Sequence, residues 1–129
     1  MLPTVRKIVR YVSSNLDKQL TLNKLAHLVR LSPSRMCYLF KAEMRVSPGL
    51  YIRDLRVKKA RELLETTSLS VKEIRLRVGI SDESHFTRYF RKAFGVTPSR
   101  HRAKALYSDP SYAAREEEVD KNRKIGHKP

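Results

Sequence analysis

Apolar residues recur with helical spacing along most of the chain. Val5, Ile8, Val9 and Val12 share one face of a period of about 3.6 residues, ending near Asn15. Leu22, Leu25, Ala26 and Val29 form a second stripe, with Thr21 placed to cap its first turn. Ser32 caps a third helix with Pro33 at its first position, where a missing N–H costs nothing, and Met36, Leu39 and Phe40 face inward. A long helix follows from about Pro48 to Leu64, with Leu50, Leu55, Ala60, Leu63 and Leu64 among its apolar residues. Ser70-Val71-Lys72-Glu73 has capping-box spacing and opens a stripe of Val71, Ile74 and Val78. After Gly79-Ile80-Ser81 comes a helix with Phe86, Tyr89 and Phe90 inside, closed by Gly95 as a left-handed C-terminal residue. Thr97-Pro98 opens one last short helix.

The pattern contains an internal repeat. Val29-Arg30-Leu31-Ser32 aligns with Val78-Gly79-Ile80-Ser81 at an offset of 49. Phe40-Lys41 aligns with Phe90-Arg91, and Ser47-Pro48 with Thr97-Pro98, at an offset of 50, so the second turn holds one extra residue. The expected fold is all-α, about seven helices in two helix-turn-helix subdomains joined by a long linker helix. The expected layout is 1–46 for the first lobe, 47–66 for the linker, 67–106 for the second lobe and 107–129 for a polar, poorly ordered tail.

Charge sharpens this picture. The 129 residues carry a formal net charge of +15. Residues 1–102 hold 22 Lys and Arg against 8 Asp and Glu, a net +14, so the positive field belongs to the folded body. Such a field concentrates polyanions and speeds their capture. Nucleic acid is the leading partner and an anionic membrane surface the competitor. The single cysteine, Cys37, forms no disulfide within the chain, which suits a reducing cytoplasm. No apolar run approaches the roughly 20 residues of a membrane span. His27, His85, His101 and His127 lack metal-ligand spacing. No paired carboxylates, nucleophile set or glycine-rich phosphate loop is present, so neither enzymatic activity nor a metal or other cofactor is expected.

A helix that reads the major groove must pack on its own domain with one face and offer polar groups on the other. With Met36, Leu39 and Phe40 inside, Ser34, Cys37, Tyr38 and Lys41 point outward and Arg35 flanks them. With Phe86, Tyr89 and Phe90 inside, Ser84, Thr87, Arg88 and Arg91 point outward, with Glu83, His85 and Lys92 near the edges. Arg88 is the strongest base reader, because its planar fork can bond guanine O6 and N7 together. Glu83 can accept from a cytosine amine, or simply favour the helix N-terminus. Tyr38 suits a thymine methyl or a phosphate. Cys37 is small enough to let its helix approach closely, and a protonated His85 suits a phosphate. Arg35, Lys41, Arg91 and Lys92 read as phosphate contacts, which position without specifying.

From about Leu20 to Arg102 the chain resembles the DNA-binding domain of the AraC family of bacterial transcription regulators. The resemblance rests on Leu20-Thr21-Leu22, Leu25-Ala26, Leu31-Ser32-Pro33-Ser34, Phe40-Lys41 and Ser47-Pro48 in the first unit. Arg53-Asp54-Leu55-Arg56-Val57 and Ala60-Arg61-Glu62-Leu63-Leu64 carry it in the linker. The second unit adds Ser70-Val71-Lys72-Glu73-Ile74, Val78-Gly79, Ser84-His85-Phe86-Thr87-Arg88 and Phe94-Gly95-Val96-Thr97-Pro98. It implies a seven-helix bilobal fold, transcriptional control, and contact with RNA polymerase at some promoters. It places base contacts on Ser34, Cys37, Tyr38, Glu83, Ser84, His85, Thr87 and Arg88. Helical spacing puts the same residues at outward or edge positions.

The chain departs from the family pattern at Arg75 and Arg77, where small Ala is common, and at Arg45, where Gly is usual. Ile80 stands for a usual Phe and His101 for a usual Tyr. Arg75 falls on the inward stripe, and an unpaired buried guanidinium is costly, so it is expected to snorkel outward. A sensor domain takes roughly 100 residues, and no stretch of the chain reads as one. Either regulation runs through abundance or a partner, or a sensor or dimerisation domain belongs to a longer polypeptide.

Overall fold

The computed structural model describes residues 1–107. Seven helices follow one another: α1 (Pro3–Ser14), α2 (Leu22–Leu28), α3 (Pro33–Met44), α4 (Pro48–Thr66), α5 (Val71–Arg77), α6 (Glu83–Phe94) and α7 (Pro98–Tyr107). No strand occurs among the described residues. Of the tail expected over 107–129, Tyr107 ends α7 and the rest lies outside them.

Two apolar cores form. The first joins Val5, Ile8 and Val12 of α1, Leu25 and Ala26 of α2, Met36 and Phe40 of α3, and Ile52 of α4. The second joins Val57, Ala60 and Leu64 of α4 with Ile74, Val78, Ile80, Phe86 and Phe90. α4 therefore serves both cores. Between Ile52 and Val57 the helix turns by about 140°, so its buried side swings to the other lobe. Three of the apolar residues stay outside both cores: Leu22 is 43% exposed in the first turn of α2, and Leu39 and Leu50 are half-buried.

Local signals start the helices where expected. Thr21, Ser32, Ser47 and Ser70 each accept from the backbone N–H three residues on, at 3.0–3.2 Å. Arg102 closes α4, its Nε and Nη2 donating to Leu64 O (2.8 Å) and Leu69 O (2.7 Å). His101 Nε2 lies 2.8 Å from Glu65 Oε1 and its ring meets Phe90 edge-on. The polar ring at this position thus keeps both an aromatic contact and a partner.

Arg75 does not snorkel. Its side chain is buried, and Nη1 donates to the carbonyls of Ile80 (3.1 Å) and Ser81. The reason lies in the turn. Leu31 N–H closes onto Ala26 O in the first unit, and Ile80 N–H closes onto Arg75 O in the same way in the second. The second turn then runs one residue longer before its helix begins, and the guanidinium gathers the carbonyls of that longer segment. The buried guanidinium is paired with two acceptors, which removes the cost that favoured snorkelling.

Candidate nucleic-acid interface

The two turns place α3 and α6 alike. Ser32 Oγ accepts from Arg35 N–H at 3.1 Å, and Asp82 Oδ1 accepts from His85 N–H at 2.8 Å. Asp82, fifty residues beyond Ser32, is thus the counterpart cap, and Ser81 is the inserted residue. The His85 N–H bond is the main cause holding the Asp82 carboxyl below its ordinary range, with the His85 ring and the Arg75 guanidinium adding to it and desolvation opposing. At their far ends both helices close on left-handed residues, Arg45 (φ 66°) and Gly95 (φ 79°).

On α3, Ser34, Arg35, Tyr38 and Lys41 are exposed, while Cys37 is half-buried against the first core. Tyr38 is 66% exposed, with the Arg35 guanidinium 5.6 Å from its ring centre. A large ring this exposed, beside a cationic neighbour, suits a base or sugar face better than a core. On α6, Glu83, Ser84, Thr87, Arg88, Arg91 and Lys92 line one shallow depression of about 660 Å³. Thr87 is its half-buried floor and the others are exposed. Three cations and one carboxylate around a polar floor can meet phosphates and base edges together.

His85 sits apart from that depression. Its ring stacks on Tyr89 at 5.7 Å and 18°, with Nδ1 3.8 Å from Asp82 Oδ1. Both rings line a cleft of about 500 Å³ between the lobes, together with Arg53 and Arg56 of α4. The Arg53 guanidinium lies 4.8 Å from the Tyr89 ring centre. Among the described residues no cluster of three metal-capable side chains occurs, and no helix is long and apolar enough to cross a membrane.

The profile of a protein family described as a helix-turn-helix domain matches residues 25–104. A solved transcriptional regulator from Chromobacterium violaceum, described as an AraC-type DNA-binding domain-containing protein, superposes with a TM-score of 0.73 at 32% identity, covering 80% of this chain and 92% of that one. The chain belongs to the AraC family. The arabinose operon regulatory protein of Escherichia coli K12 is 35% identical to this AraC-family chain over 100 residues, which is 77% of the chain and 34% of that protein. The chain thus spans about a third of the length of the curated relatives it matches. The DNA-binding domain of AdpA, solved in complex with a target DNA, superposes with a TM-score of 0.79 at 25% identity over 83% of this chain and 96% of that one.

Several residues of this AraC-family domain are not marked by the periodicity. Asp82 was findable, since the fifty-residue offset that pairs Phe40 with Phe90 also pairs Ser32 with it. The Arg53–Tyr89 stack and the Arg56 contacts join residues far apart in the chain, and no local pattern signals them.

Proposed function

We propose that the protein is a sequence-specific regulator of transcription that inserts α3 and α6 into adjacent major-groove segments of one asymmetric promoter site. The observation that carries this is the repeated pair of similarly capped helices, each presenting a polar, cation-bearing face. α4 has 19 residues, about 28 Å of rigid rod, comparable with the roughly 34 Å between successive major-groove faces. The two outward faces differ in sequence, so a single chain would read two unlike half-sites without a dyad. Arg88, Glu83, Ser84, Thr87, Ser34, Cys37 and Tyr38 are assigned to base edges, with His85 at the cleft-side rim. Arg35, Lys41, Arg91 and Lys92 are assigned to phosphates. The reading places the chain in the bacterial cytoplasm. RNA polymerase would have to meet it on a surface other than the two reading faces, which DNA occupies.

Selection of bound duplexes from a random pool tests the reading. The expected product is a motif with two separated, non-palindromic conserved blocks. Arg88→Ala should lose discrimination at one base pair, about 1–3 kcal/mol. Recovery of no motif, or equal binding of selected and random duplexes, would overturn sequence-specific regulation in favour of indiscriminate electrostatic binding.

A further inference from the structure

Reading two half-sites at one spacing requires the lobes to hold a fixed mutual orientation. α4 grips them unequally. It packs along α5, α6 and α7 of the second lobe, whereas the first lobe meets it through α3 and a short stretch around Tyr51, Ile52 and Leu55. A cleft of about 500 Å³ opens between the lobes, with Leu20 and Ser47 on one wall and Ile80, Asp82 and Tyr89 on the other.

Two contacts bridge it. Arg56, one turn beyond Ile52, donates from Nε to Leu16 O at 3.2 Å and from Nη2 to Lys18 O at 2.8 Å. Both carbonyls belong to the α1–α2 connection of the first lobe. The same Leu16 carbonyl lies against Gly79, in the turn that leads into α6: a Cβ there would stand 2.2 Å from it, and 3.2 Å from the Arg56 guanidinium. Arg56, Leu16 and Gly79 thus bring together the linker, the first lobe and the turn of the second unit.

We propose that Arg56 is a positioning residue that sets the half-site spacing the protein accepts, by clamping the first lobe onto the turn that aims α6. This rests on the two-half-site reading above. The chemistry of the side chain suits a clamp. Its planar fork reaches two carbonyls of one loop at once, and partial burial makes those bonds costly to break. An inserted base pair moves the second half-site by about 3.4 Å and turns it by about 35°. A clamped pair of lobes cannot follow that displacement, and an unclamped pair can.

The distance measurement uses the full chain carrying Cys37→Ser, with spin labels at Asn23→Cys on α2 and Lys72→Cys on α5, with and without Arg56→Met, and the binding measurement uses the unlabelled full chain with Cys37 in place, with and without Arg56→Met. The interlabel distance distribution is expected to be narrow with Arg56 and to broaden without it. On duplexes bearing the selected site, one inserted base pair is expected to cost the Arg56 protein about tenfold or more in affinity, and the Arg56→Met protein less than about threefold, with similar binding to an isolated half-site. Should Arg56→Met lose its helical signal, Arg56→Gln, which keeps a donor and most of the stem, is measured in its place. A distribution as narrow as with Arg56, or unchanged spacing discrimination in a folded variant, overturns the clamp. If no duplex binds either protein, the DNA reading fails, and the distance distribution still decides whether Arg56 holds the lobes.

Discussion

Gly79→Ala offers a demanding check on the packing between the lobes. The backbone at Gly79 has φ +83°, a region that costs an ordinary L-residue about 1–2 kcal/mol. The added methyl would also stand 2.2 Å from the Leu16 carbonyl oxygen. That oxygen is backbone, held by Arg56, so it cannot simply rotate away, and overpacking of this kind costs about 1–3 kcal/mol. Reduced freedom of the unfolded chain returns about 0.4–1 kcal/mol. The net expected loss is about 1–5 kcal/mol, a large share of the 5–15 kcal/mol typical of a domain. The chain supplies its own control. Arg30 occupies the matching turn of the first unit with φ 58°, and it is exposed. Arg30→Gly relieves the same backbone strain with no contact to change, and should alter stability by no more than about 1 kcal/mol, in the stabilising direction. Urea unfolding followed by circular dichroism measures both. If Gly79→Ala cost under about 1 kcal/mol, the close approach of the first lobe to this turn would be wrong. A loss at Gly79 matched by an equal gain at Arg30 would assign the effect to backbone strain alone.

Three further outcomes follow from single side chains. Arg75→Met, which keeps the stem and removes the donors to Ile80 O and Ser81 O, should destabilise the protein by about 2–3 kcal/mol in urea unfolding; a change within about 0.5 kcal/mol would mean the guanidinium is not needed there. Lys41→Ala should weaken all duplexes evenly and shallow the salt dependence of binding by about one unit, and a normal slope with altered base preference would refute a phosphate role. Asp82 has its folded pKa held below the ordinary 3.8, chiefly by the His85 N–H. Its contribution to stability is therefore complete above 3.8, declines below it, and is gone once the pH has fallen through the lower folded value. Asp82→Asn should flatten that part of the acid limb in a titration of the unfolding free energy, and an unchanged limb would count against the cap.

Whatever depends on near neighbours was legible before any coordinates. A helix is a repeating local structure, so Val5, Ile8 and Val12, or Phe86 and Phe90, announce a buried face by spacing alone. Caps act across three residues, which is why Thr21, Ser32 and Ser70 were readable as starts. The fifty-residue offset exposed the doubled unit, and spacing from the buried aromatics placed Glu83, Ser84, Thr87, Arg88, Arg91 and Lys92 on the side where one depression gathers them.

Tertiary structure decided what lies between elements. Arg75 looked like a charge that must escape, because its stripe points inward and its acceptors are not visible as partners. Folding supplies them, since the longer turn brings two carbonyls over the guanidinium. His85, at the edge of the outward face of α6 by angle, lies toward the cleft against Tyr89, on which Arg53 of the linker also stacks. Arg56 and Gly79 meet the Leu16 carbonyl across 40 and 63 positions of the chain, and no local period encodes a contact that only the docking of two lobes on one helix creates.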